Sequence, residues 1–311
     1  MKNTLRYATL LAFGTAVISG TNVFLTKIVS AGVGDPVVFT TLKNAIVAML
    51  MIGIVLMFKK WPEIRKLTKS QALKLVAIGV VGGSIPFVLF FSGLAHTSAI
   101  NAAMIHKTLF IWVLIIALPI LKERIASWQW LGIAAIFAAN LFIGGFQGFQ
   151  FGIGELMILG ATILWAVENI IAKVALKDLS SLTVASARMV IGSIILIGIV
   201  TWQGNIGLLS GLGTAQWGWI LLASVLLLGY VLSWYTALKY APATYVATLI
   251  VPATLITNVL SAVFITKVFT SHQFASSILY IAGIMMMVHF AKQTTDRIAI
   301  GDRGQKGVAH L

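Results

Sequence analysis

A chain of 311 residues that is 59% hydrophobic and only 10% charged cannot clothe a water-soluble domain, in which about 25% of residues carry charge. A polytopic membrane protein is the reading left, and the absence of cysteine excludes disulfides and thiol chemistry. The formal net charge of +14 invites a nucleic-acid partner, but the placement of the cations removes that idea.

Ten apolar runs are long enough to cross a ~30 Å hydrocarbon core, which takes about 20 helical residues. In chain order they are 5–29, 36–58, 72–95, 98–121, 126–145, 153–174, 180–202, 216–238, 242–266 and 273–291. Backbone groups in lipid must be satisfied within the segment or around a closed barrel. Barrel strands alternate polar and apolar residues; these runs do not, so the chain is an all-α membrane protein. The first run follows Lys2 and Arg6 as a signal peptide would, but it is too long, lacks a small-residue cleavage pattern and precedes nine more spans. Past 292 the stretch "QTTDRIAIGDRGQKGVAHL" is polar and is expected to form a poorly ordered cytoplasmic tail, 293–311.

With the N-terminus in the cytoplasm, seventeen of the 22 Lys and Arg fall on the inner side. Only Lys27 and Lys267 fall outside, and Lys43, Lys107 and Arg188 lie within spans. This bias sets the orientation, with both termini cytoplasmic, under the positive-inside rule. It also accounts for the net charge as topology signals beside an anionic leaflet, with no nucleic acid needed.

The second half repeats the first. At an offset of 146, Gly14 meets Gly160, Asn22 meets Glu168 and Lys27 meets Lys173; at 145, Lys43 meets Arg188. At 144, Leu94 meets Leu238, Ala99 meets Ala243, Ser127 meets Ser271 and Gln129 meets Gln273. Each unit, 1–147 and 148–292, holds five spans. Because five is odd, the second unit enters from the opposite face. The expected fold is ten transmembrane helices as two inverted five-helix repeats, a recurrent design of secondary transporters.

The residues "SGLAHTSAINAAMI" and "LPILKERIASWQWLGIAAIFAANLFIG" in the first half, and "GELMILGATILWAVENIIAK" and "TALKYAPATYVATLIVPATL" in the second, carry a resemblance. Over 5–292 the chain resembles the EamA-type transporters of the drug/metabolite transporter superfamily. The stretch "ISGTNVFLTK" looks like that family's first helix, with Ser19 where a tryptophan usually precedes the glycine. Thr108 stands where the second copy has Pro252, and Glu123–Arg124 becomes Lys267–Val268 in the second copy. The resemblance implies transport of amino acids or other small metabolites, in either direction.

Polar residues inside spans point to the pathway. At 1.5 Å per residue, Lys43 lies about 10 Å, Lys107 about 14 Å, Arg188 about 18 Å and Glu168 about 23 Å from the outer boundary. A lysine at the depth of Lys107 is too far in for easy snorkelling, which makes it a cavity-lining candidate. Its neighbour His106 suits either a helix–helix hydrogen bond or transport. Glu168 and Arg188 are on consecutive helices and are expected to pair. Asn22, the counterpart of Glu168, and Asn169 join the candidates. Lys43 and Asn44 are placed on the second helix. Trp165, Tyr230, Trp234 and Tyr235 are polar-tipped aromatics that serve packing or cargo contact. "GVVGGSIP", 79–86, and Pro252 mark helices built to break or to approach closely.

The main reading is a secondary transporter in the plasma or inner cell membrane. It would move an amino acid or other carboxylate-bearing metabolite by alternating access, through a central cavity between repeats, with the anionic group near Lys107. The expected partners are that small molecule and membrane lipid, with the protein a monomer or homodimer. The alternative is a channel-like or receptor-type membrane protein. An enzyme would need a nucleophile with a base, paired aspartates or metal ligands; the chain has no HExxH or GxSxG, so no catalytic residue, metal or cofactor is expected.

Overall fold

An apolar chain in lipid has one local solution for its backbone, the helix, and the described residues hold helices and no strand. The computed structural model describes the backbone of 2–29, 35–142 and 152–308; the side chains of 2, 26–29, 210 and 292–308 are outside what is described. Helices α1 (Lys2–Val29) and α2 (Pro36–Met57) are followed by the short α3 (Trp61–Arg65). The third span is broken into α4 (Lys69–Gly83) and α5 (Ile85–Leu94), and the fourth into α6 (Ala99–Lys107) and α7 (Leu109–Ile120). Helices α8 (Ser127–Phe142), α9 (Ile153–Ala175), α10 (Ser181–Trp202) and α11 (Thr214–Tyr240) are continuous. The ninth span is α12 (Ala243–Ile250), α13 (Ala253–Ser261) and a π-helical stretch Ala262–Thr266; α14 (Ser271–Val308) is last.

Among the described residues, nine helical spans are long and apolar enough to cross a membrane. The fifth of the ten expected spans is described over the 16 residues Ser127–Phe142, and 143–151 lie outside the described residues. Helix α14 continues past 292, where the sequence predicts an irregular tail; no proline interrupts it there.

Local chemistry starts these helices where the sequence turns polar. Asp35 caps α2, its carboxylate accepting from the N–H of Val37 at 2.7 Å and Val38 at 3.0 Å, with Pro36 in the first turn. Gln71, Gln129, Gln216 and Gln273 each fold back to accept the backbone N–H three residues earlier, at 2.9, 2.8, 2.5 and 2.8 Å. The first and third, and the second and fourth, are equivalent positions of the two halves.

The duplication is also written in the backbone. Among the described residues, four have a left-handed φ: Lys59 at 52°, Lys122 at 53°, Gly204 at 74° and Lys267 at 56°. They form two pairs, Lys59 with Gly204 and Lys122 with Lys267, each 145 residues apart. The packing follows the same exchange. Helix α1 packs on α11, α12 and α13, as α9 packs on α4 to α7; α2 packs on α11 as α10 packs on α4; α2 meets α10 and α8 meets α14. Most large contacts therefore cross between halves.

Apolar burial does not drive helices together in lipid; close packing does. A Cβ built on Gly192 would lie 2.6 Å from the carbonyl oxygen of Gly83, and one on Gly83 would lie 2.5 Å from that of Arg188. Helices α4 and α10 thus touch backbone to backbone, which the glycines of "GVVGGSIP" permit.

Candidate functional site

The break in the third span creates the first element of the site. A helix bonds each N–H to the carbonyl four residues back, and Pro86 has no N–H to give Gly82. The carbonyl of Gly82 accepts instead from the Trp165 indole Nε1 at 3.1 Å and the Arg188 Nη2 at 3.2 Å. Ser84, at the break, donates back to Val80 O at 3.0 Å. One proline in the first half thereby holds two side chains of the second.

Glu168 and Arg188 lie deep in the bundle, 2% and 9% exposed. The expected direct ion pair does not form. The Glu168 carboxylate accepts from the Tyr235 hydroxyl, while Arg188 is drawn to Gly82 O. The two charges remain electrostatic neighbours, with Tyr235 and Tyr230 in the same field. The stem of Glu168 rests on Gly82, where any side chain would collide with it. Arg188 Nε is buried with no hydrogen-bond partner. A buried guanidinium edge left open in this way is costly unless something binds there.

Aromatic rings wall this cluster. His106 lies 4.9 Å from the Trp165 ring and 5.4 Å from Phe90, and Phe87 stands 5.3 Å from Trp165, centroid to centroid. His106 Nδ1 and Asn169 Oδ1 are buried without partners, while Asn169 Nδ2 donates to Trp165 O at 2.9 Å. The structure thus gathers His106, Trp165, Glu168, Asn169 and Arg188 from the expected set. It adds Gly82 O and the role of Tyr235 as partner of Glu168. Pro86 four residues after Gly82 was the available signal for the first; no sequence spacing points to the second.

Other candidates sit apart. Lys107 ends α6, where Thr108 interrupts the span without a proline. Its hydroxyl donates to Ile105 O at 2.6 Å, beside the main-chain bond from Thr108 N to the same oxygen at 3.0 Å, and accepts from Trp112 Nε1 at 3.1 Å. The break matches the one at Pro252. Lys107 lines a cavity of about 60 Å³ with Met104, Thr108, Phe137, Asn140 and Leu141. Every one of these residues belongs to the first half, so this cavity is not one between repeats. Lys43 is buried with its ammonium 4.6 Å over the Phe39 ring. Asn22 has a buried Oδ1 without a partner, on α1. Tyr230 stacks on Trp234 along α11, 6.2 Å between centroids.

The fold and the site define a polytopic membrane protein made of a duplicated helical unit. The sequence pattern of the EamA-like transporter family matches residues 6–145 and again 152–289, and the chain belongs to that family. It is a multi-pass transporter of the cell membrane. It is 27% identical over 224 residues to the uncharacterized transporter YyaM of Bacillus subtilis, covering 70% of this chain and 72% of that one. It is 24% identical over 257 residues to the uncharacterized transporter sll1164 of Synechocystis sp., covering 76% and 71%. A protein crystal structure of 14% identity superposes with a TM-score of 0.73 over 91% of this chain and 98% of that one, a likeness of fold alone.

Proposed function

We propose that the protein is a secondary carrier for a small zwitterionic metabolite of the amino-acid type, working by alternating access between two inverted repeats with both termini cytoplasmic. The observation that carries this is the buried Glu168 and Arg188 held side by side yet bonded elsewhere, with one guanidinium nitrogen unpartnered. An ammonium meets Glu168 and a carboxylate meets the fork of Arg188, which suits planar bidentate binding. The carboxylate is assigned to Arg188 and not to Lys107, because Lys107 faces α8 within the first repeat. Trp165, His106 and Phe90 supply an aromatic wall for the apolar part of the cargo.

Broken spans support movement. Gly82, on α4 of the first repeat, is bound by side chains of α9 and α10 in the second. Rocking of one repeat against the other must therefore pass through the site.

The test is a thermal-shift screen of purified protein against zwitterions, monocarboxylates and amines of matched size. A ligand raises the melting temperature by binding the folded state. Zwitterions are expected to stabilise most, and Glu168→Gln is expected to level them with monocarboxylates. Hits confined to amines, with no carboxylate-bearing compound among them, would overturn the reading. Pro86→Ala separates positioning from stability. It restores an N–H aimed at Gly82 O and removes a proline only from the first turn of α5, so the free protein is expected to melt close to the parent temperature. Cargo affinity is expected to fall about tenfold as Arg188 and Trp165 lose their anchor, the loss typical of one displaced charge-assisted hydrogen bond. Unchanged affinity in Pro86→Ala would show that the freed carbonyl plays no part.

A further inference from the structure

The two ends of the bundle are closed by different chemistry. Where α7 and α9 finish and α12 begins, Glu123 accepts from Ala243 N at 2.6 Å, Thr244 N at 3.0 Å and the Thr244 hydroxyl at 2.7 Å. A carboxylate of the first half thus caps a helix N-terminus of the second, where its charge is favoured by the helix dipole. Lys173 of α9 donates to Leu238 O and Ala241 O, each at 2.6 Å, closing the C-terminus of α11. Lys239 reaches across to Leu179 O at 2.9 Å. Between them the turn from α11 to α12 is packed tight: Leu238, Ala241, Ala243, Thr244 and Tyr245 are all buried.

The equivalent turn of the first half, from α5 to α6, lies 144 residues earlier and leaves Ala95, His96, Ser98, Ala99 and Ile100 exposed. The position of Glu123 is occupied there by Lys267, whose ammonium donates to Val263 O of its own helix at 2.6 Å. The position of Lys173 is kept as Lys27, whose side chain lies outside the described residues. One half of the device is therefore duplicated and the other is reversed in charge.

We propose that Glu123 and Lys173 are a one-sided latch. They hold the α11–α12 end shut by a tie that the opposite end does not repeat: there Lys267 stands in place of the carboxylate, and the halves meet instead through Asn101 Nδ2 donating to Glu155 Oε1 at 2.6 Å. With the orientation given above, the latched end is cytoplasmic, so release of the latch opens the unliganded carrier to the cytoplasm. This rests on the carrier reading but not on the cargo assignment.

The absence of native cysteine allows a direct test. Single reporters Thr248→Cys, behind the latch, and Met104→Cys, its equivalent in the first half, are labelled with a membrane-impermeant thiol reagent in vesicles of known sidedness. In Glu123→Gln and Lys173→Met backgrounds, labelling of the Thr248→Cys reporter from the cytoplasmic side is expected to rise about tenfold, the population change that losing one charge-assisted anchor produces. Labelling of the Met104→Cys reporter is expected not to rise. Thr244→Val, which removes one bond and no charge, gives a milder rise and serves if the charge variants fail to fold. No change behind the latch, or an equal rise at both reporters, overturns the proposal. The readout needs no cargo, so it stands or falls separately from the thermal-shift screen, which reports on Glu168 and Arg188.

Discussion

Arg188→Gln is expected to abolish binding of a carboxylate-bearing cargo, with affinity falling at least ~100-fold. Removing one member of a buried charge-assisted contact costs roughly 2–5 kcal/mol, much of it from the partner left unpaired. In the proposed carrier the partner is the cargo anion, docked at the unpartnered Nε. Arg188→Lys keeps the charge and loses the fork, so partial affinity, down about tenfold, separates charge from geometry. Ligand-dependent melting and counterflow in liposomes measure both. Full affinity in Arg188→Gln would remove the site from this cluster. A saturable counterflow signal in the parent protein also separates a carrier from a channel, the alternative raised by the sequence.

Gly192→Ala is expected to be among the most damaging single methyl groups at the described residues. Its Cβ would meet Gly83 O at 2.6 Å and Gly83 Cα at 2.7 Å, both main-chain atoms with no rotamer to yield. Helices α4 and α10 must separate, an overpacking strain of about 3 kcal/mol. That lowers the melting temperature by about 4–5 °C for a chain of 311 residues. Gly198→Ala on the same helix is the control, because a Cβ there meets nothing within 4 Å; it should melt at or slightly above the parent temperature, as alanine is the better helix former. Equal melting of the two variants would mean that the contact between α4 and α10 gives way freely.

Separation of α4 from α10 would also carry Gly82 away from Arg188. The packing glycines and the polar cluster are thus one construction. Gly82 offers room for the stem of Glu168 on one side and its carbonyl for Arg188 and Trp165 on the other. A side chain at 82 would displace the acid, and an N–H at 86 would compete for the carbonyl.

Much of this was legible in the letters. Lipid forces every buried backbone group to be satisfied locally, so helical type and the nine spans found among the described residues follow from apolar run length. A duplicated gene leaves matched residues, and the paired left-handed turns at Lys59 and Gly204, and at Lys122 and Lys267, repeat that match in the backbone. The close-packing role of "GVVGGSIP" follows from residue size. Depth picked out Glu168 and Arg188, because an ionised group in hydrocarbon needs a reason to be there.

Direction around each helix was not legible, since every residue is only about 100° from the next and depth is the same on all faces. Lys107 and His106 share a depth, yet tertiary packing turns His106 onto Trp165 and Lys107 toward α8. Glu168 and Arg188 lie at depths that a long arginine can bridge, but each found a better partner, Tyr235 and Gly82 O, on elements far away in sequence. Which carbonyl a proline frees can be counted along the chain. Which side chains come to claim it depends on the neighbours that packing brings alongside, and only the assembled bundle decides that.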